Sequence, residues 1–162
     1  MDLRDATAGD EPFLWLMLTY AASMTPGGPA SVEAARTDGG LSWYVAGWSP
    51  VDDLGLVATA DGRPIGAAWL RRLDGEPIPH KVATREVPEL AIGVLPDHRG
   101  AGVGKRLLDE LVERSRGRYP AIALSVRDTN PSVRLYERAG FVIEQTIVNR
   151  VGGNSLVMRR TL

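Results

Sequence analysis

Cysteine is absent from the 162 residues, and histidine occurs twice, at His80 and His98. The first absence removes disulfides, thiolate nucleophiles and every cysteine-containing metal site. The second leaves too few ligands for a histidine-rich metal centre, and no metal is expected. An excess of one charge is also missing: 19 Lys+Arg face 20 Asp+Glu, a formal net charge of -1. A polyanion such as DNA is therefore not the expected partner, although a local basic cluster still suits a small anion. Long apolar runs are lacking too. The strongest, FLWLMLTYAASM at residues 13–24, falls well short of the ~20 residues of a membrane span. The opening MDLRD carries no basic segment followed by an apolar run, so no signal peptide is expected, and cytoplasm is the expected location.

What is present is ordinary globular composition, 44% apolar and 24% charged. The length points to one domain over residues 1–162. Residues 2–7 read as a strand, and Asp10 as the N-cap of a helix running to about Met24, where TPGGPA breaks it. One or two short helices are expected between 31 and 50. GLVATADGRPIGAAWLRRL reads as a hairpin turning at Asp61-Gly62. Residues 74–85 form a loop, and VPELAIGV is a buried-type strand. In the helix that follows, Val103, Leu107, Leu108, Leu111 and Val112 make one apolar stripe, ended by Gly117. AIALSV is another strand, Asn130-Pro131 read as N-cap and N1 of a helix ending at Gly140, and FVIEQTIV and SLVMRRTL form a closing hairpin. The β-α-β at 87–126 requires a parallel strand pair with a right-handed crossover, and the hairpins add antiparallel strands. The fold class is α/β with a mixed sheet.

The stretch LPDHRGAGVGKRLLDEL places glycines at 100, 102 and 104 between a strand and a helix. Two familiar phosphate motifs fail by counting. For G-x-G-x-x-G, the sixth position is Lys105 or Leu107; for the P-loop, Arg99 and Arg106 stand where glycine and a hydroxyl residue belong. What remains is Arg99-x-x-Gly102-x-Gly104 leading into a helix. Unpaired N–H groups and the helix dipole favour an anion there, and Arg99, Lys105 and Arg106 supply local charge. The alternative for the same residues is a ligand-free turn with solvated cations.

This segment, followed by NPSVRLYERAGF, resembles the GNAT superfamily of acyl-CoA-dependent N-acetyltransferases. The first stretch is similar to the family's [RQ]-x-x-G-x-[GA] motif, the second to its later Asn…Leu-Tyr-Glu-x-x-Gly-Phe segment. The likeness extends over most of the chain and is weakest between residues 25 and 53. It implies a mostly antiparallel central sheet of about six or seven strands with helices on both faces. It also implies a splayed parallel pair that holds acetyl-CoA. Backbone amides of Gly102, Val103, Gly104 and Lys105 would take the coenzyme A pyrophosphate, with Arg99, Gly100 and Ala101 at the loop entrance. Ile92, Gly93 and Val94 would run beside the pantetheine, and Asn130 would face the cofactor.

The implied chemistry is acetyl transfer to a primary amine of a small molecule or peptide by direct attack in a ternary complex. Tyr136 matches the tyrosine that protonates the departing sulfur. Glu89 is the base candidate, although five residues separate it from Val94, which puts the two side chains on opposite faces of a regular strand. Glu86 and a water chain are the other routes for the proton. Trp43, Tyr44, Trp48 and Trp69 fall where the family shapes its acceptor pocket; covering one end of the core is their other reading. A homodimer is compatible with the closing hairpin. The competing functional class is a non-catalytic acyl-CoA-binding sensor or regulatory module on the same fold.

Overall fold

The computed structural model describes residues 1–149 and 151–162. Its strands are β1 (Asp2–Asp5), β2 (Gly55–Ala60), β3 (Arg63–Arg71), β4 (Glu89–Val94), β5 (Ala121–Arg127), β6 (Val142–Val148) and β7 (Asn154–Thr161). Its helices are α1 (Glu11–Ala21), α2 (Val32–Thr37), α3 (Gly39–Ser42), α4 (Val103–Ser115) and α5 (Val133–Arg138). The strands form one seven-stranded sheet in the order β1-β2-β3-β4-β5-β7-β6. The β1–β2, β2–β3, β5–β7 and β6–β7 ladders are antiparallel, and β4–β5 is parallel with Glu89 opposite Ala123. The mixed, mostly antiparallel α/β sheet expected from the sequence is therefore present, with α4 as the crossover.

The chain divides into two compact units, Met1–Leu70 with Ala91–Leu111, and Arg71–Leu90 with Val112–Leu162. In the first, the β2–β3 hairpin turns at Asp61-Gly62, where both residues take positive φ. The core gathers Leu14, Trp15, Met17 and Leu18 of α1 with Val57, Ala67, Trp69 and Ala91 of the sheet. Each such large apolar side chain contributes roughly 1.5–3 kcal/mol when fully withdrawn from water. The α4 stripe is as expected: Val103, Leu107, Leu108, Leu111 and Val112 are all buried.

The start of α1 differs from expectation. A 3-10 turn, Ala8–Asp10, precedes it. The Asp10 carboxylate reaches backwards rather than capping α1, accepting the Thr7 N–H at 2.8 Å and two Arg4 N–H groups at 2.7 and 2.8 Å. A bidentate arginine outcompetes the helix N-terminus for this side chain. The helix also stops at Ala21, before Met24.

In the second unit, Val87, Ala121 and Ala123 form a small cluster with Val82 packed against it. β5 is buried on both faces through most of its length, whereas β6, at the sheet edge, is largely exposed. The α5 helix begins later than its sequence suggests. Asn130 spends its Oδ1 on the Ser132 N–H at 2.8 Å, closing a local turn, and the helix starts at Val133. Asparagine favours this side-chain-to-backbone turn, which competes with capping.

Candidate active site

Between β4 and α4 the chain makes a 3-10 turn, Pro96–His98, and then crosses the glycine run. Gly100 and Gly102 take φ of 78° and 81°. A Cβ at either would meet nothing within 4 Å, so backbone conformation rather than crowding requires glycine here. The Arg106 N–H donates to the Gly102 carbonyl at 3.1 Å and closes the first turn of α4. The N–H groups of Val103, Gly104 and Lys105 therefore lie ahead of any intrahelical acceptor, at the positive end of the helix dipole. Such a donor set fits a pyrophosphate.

The cations around the loop are individually docked. Arg99 donates from Nε to the Val94 carbonyl at 3.3 Å, and its guanidinium carbon lies 5.2 Å from the Tyr20 ring centroid. Lys105 pairs with Asp109 at 2.6 Å on the exposed side of α4, and Arg106 donates to the Met1 carbonyl at 3.1 Å. Lys105 thus offers the loop its backbone amide, while its ammonium is occupied further along its own helix. Gly100, Ala101 and Gly102 are exposed, and Gly104 is half-buried.

On β4, Ile92 and Val94 are half-buried and Gly93 is buried. Gly93 is required by close approach: its Cβ would stand 2.5 Å from the Met17 carbonyl oxygen, so α1 rests directly on this strand. Tyr20, which organises the loop after α1, is not marked by any local sequence signal. A Cβ on Gly27 would lie 2.8 Å from the Tyr20 ring, and one on Gly28 would lie 2.9 Å from its hydroxyl. TPGGPA therefore wraps around the ring that also carries Arg99. A contact between residues so distant in the chain leaves no local periodic signal.

Among the four aromatic candidates, Trp69 is wholly buried, and its Nε1 donates to the Tyr44 carbonyl at 2.9 Å. Trp48 is buried in the same cluster. Trp43 and Tyr44 are half-buried and pack edge to face, 5.1 Å between centroids. The core thus holds Trp48 and Trp69, and Trp43 and Tyr44 stand at its margin.

In the second unit, Tyr136 lies on α5 and is buried, its ring meeting Phe141 edge to face at 6.0 Å. Burial pushes its phenol well above the ordinary tyrosine value. It is accordingly a protonated donor at neutral pH. Asn130 is half-buried at the turn before α5. Glu89 is buried at the start of β4, where its Oε1 accepts the N–H groups of Val82 at 2.6 Å and Ala83 at 3.2 Å. Glu86 and His80 are exposed, and His98 is half-buried at the end of the 3-10 turn. Among the described residues no group of three or more His, Asp or Glu is placed to hold a metal, and no helix is long and apolar enough to cross a membrane.

Comparison with known proteins places these features in a wider set. A model of the acetyltransferase (GNAT) family matches residues 18–141. Mycothiol acetyltransferase of Saccharomonospora viridis is 31% identical over 128 residues, 76% of this chain and 39% of that protein. The L-amino acid N-acyltransferase MnaT of Escherichia coli K12 is 33% identical over 121 residues, 68% of this chain and 62% of that protein. The chain therefore spans about two fifths of the first relative and under two thirds of the second. Among solved structures, the putative acetyltransferase yncA from Salmonella typhimurium with its cofactor acetyl-CoA superposes with a TM-score of 0.74 at 23% identity, covering 100% of this chain and 94% of that one. Ribosomal-protein-alanine N-acetyltransferase from Brucella melitensis gives 0.73 at 23%, with both chains covered completely. With a model of the family matching most of its length, residues 18–141, the chain belongs to the acetyltransferase (GNAT) family.

Proposed function

We propose that this protein transfers the acetyl group of acetyl-CoA to a primary amine by direct attack. The observation that carries the reading is the β4–α4 junction, with positive φ at Gly100 and Gly102 and the first-turn amides of Val103, Gly104 and Lys105 ahead of it. These amides, with Arg99 at the loop entrance, hold the pyrophosphate, and Ile92 to Val94 lie along the pantetheine. Bound acetyl-CoA supplies an acetyl group activated as a thioester.

An amine with the reference pKa of lysine, ~10.4, is neutral at pH 7 in only about 1 molecule in 2,500, equivalent to about 4.6 kcal/mol. The site must therefore let a proton leave the acceptor before the carbon–nitrogen bond forms, and water is the route we favour. As the carbon–sulfur bond breaks, Tyr136 donates its phenolic proton to the sulfur and recovers one from solvent. Its phenol carries its proton at the pH of the reaction, as a donor must. Trp43 and Tyr44 border the acceptor pocket. MnaT is named for N-acylation of an L-amino acid, so small amines, amino acids among them, head the list of acceptors.

The test is release of coenzyme A in the presence of an amine panel, read with a thiol-reactive dye. A chain without cysteine contributes no background to that assay. Acetyl-CoA- and amine-dependent thiol release supports the enzyme. Tight acetyl-CoA binding with no release for any amine supports the sensor class instead.

A further inference from the structure

The loop between β3 and β4 occupies residues 72–88 and delivers the chain to Glu89. Glu89 is 1% exposed, which is unusual for a carboxylate and requires good partners. A carboxylate oxygen has two lone pairs, and Oε1 receives two backbone donors, from Val82 and Ala83. The accepting capacity of that one oxygen is filled by the protein's own loop. Neighbouring bonds show that this is an organised anchor. The Thr84 N–H donates to the Val87 carbonyl at 2.9 Å, the Val87 N–H returns to Thr84 Oγ1 at 3.0 Å, and the Leu73 N–H reaches the Thr84 carbonyl at 3.1 Å. Val82 packs onto Val87, Ala121 and Ala123. From this fixed point the exposed stretch 74–77 and the left-handed His80, φ 66°, extend outward.

We infer that Glu89 is a positioning residue, whose carboxylate fixes the backbone at Val82 and Ala83 and through it the loop leading into β4, rather than a base that takes the acceptor's proton. The inference rests on the acetyltransferase reading for its kinetic consequences. The parity of β4 is consistent with it: Glu89 and Val94 belong to opposite faces of the strand by count. Two backbone donors held by one buried oxygen suffice to fix a loop turn. On the acetyltransferase reading, a shift of that turn acts on amine binding without Glu89 touching the amine.

Two substitutions separate the roles. Glu89→Gln keeps a carbonyl oxygen for both amides and removes the base; Glu89→Ala removes both. Amide hydrogen exchange at Val82 and Ala83 is measured by NMR, alongside kcat and the amine KM. We expect Glu89→Gln to retain protection at both amides within about threefold, and kcat within about fivefold, of the parent. Glu89→Ala is expected to speed exchange at these two amides by about 10- to 100-fold and to raise the amine KM more than it lowers kcat. A Glu89→Gln protein with protected amides and a kcat lowered about 100-fold or more would overturn the inference and make Glu89 the base. Unchanged protection in Glu89→Ala would overturn the anchor itself. If Glu89→Ala does not fold, Glu89→Gln decides alone through the same two readouts. Should the parent transfer acetyl to no amine, the acetyltransferase reading fails, while the exchange data still judge the anchor.

Discussion

Single side chains in this protein are held in defined protonation states by their surroundings, and two of them give measurable consequences. The first is Tyr136, whose burial disfavours the phenolate. Removing the hydroxyl in Tyr136→Phe is expected to lower kcat about 100-fold or more with acetyl-CoA affinity unchanged, read by steady-state kinetics and titration. Because the folded value is raised, the folded state holds this proton more tightly than the unfolded chain. The stability it provides is complete below about pH 10 and declines as pH rises above that. Thermal melts from pH 9 to 11 should show a shallower alkaline loss for Tyr136→Phe than for the parent. The second is Asp10, where hydrogen bonding from Arg4 first, and then from the Thr7 backbone, holds the carboxyl below its usual range. Its contribution is present above about pH 4 and is lost as pH falls below it. Asp10→Asn should therefore cost on the order of 1 kcal/mol at pH 7 and much less at pH 3, measured by denaturant unfolding. These two residues also mark the limit of sequence reading at this scale. The placement of Tyr136 on a helix was legible, whereas the backward reach of Asp10 depended on Arg4 arriving from β1 with two parallel donors.

Elements with strong periodicity were legible in advance, and their junctions were less so. The α4 stripe, the hairpin at Asp61-Gly62 and the buried β5 all follow from hydrophobic spacing and turn chemistry. The start of α5 does not, because Asn130 had two competing local hydrogen-bond options and took the turn. Packing between elements was also hidden. Gly93 looks like any strand glycine until α1 is laid against it with the Met17 carbonyl 2.5 Å from where a Cβ would go. Gly93→Ala should therefore displace α1 and cost about 1–3 kcal/mol, seen as a lowered melting temperature. Gly102→Ala meets no atom but must adopt φ near 81°. We expect it to cost about 1–2 kcal/mol, with weakened acetyl-CoA binding as its main signature in titration. The Tyr20–Arg99 contact makes a similar point between α1 and the loop ahead of α4. Tyr20→Leu keeps apolar bulk but loses the ring face, and a modest rise of about two- to fivefold in acetyl-CoA Kd is the expected outcome.

For the molecule as a whole, the chain order of strands and helices and the parallel pair around α4 were legible in the sequence. The insertion of β7 between β5 and β6 was not among the expectations, because it depends on a long-range pairing with no local signal. The candidate site was legible where local spacing sets its backbone, as at the glycine turn leading into α4. It was less legible wherever function depends on what a side chain meets across the fold, as with Glu89, Trp48 and Trp69. On the proposed function, the β4–α4 junction receives the pyrophosphate of acetyl-CoA. Calorimetric titration with acetyl-CoA, with NADH and ATP–Mg²⁺ as controls, tests it most directly. Saturable 1:1 binding of acetyl-CoA, weakened in Gly102→Ala and with neither control competing, is the expected result. Absence of acetyl-CoA binding, or preference for either nucleotide, would contradict it.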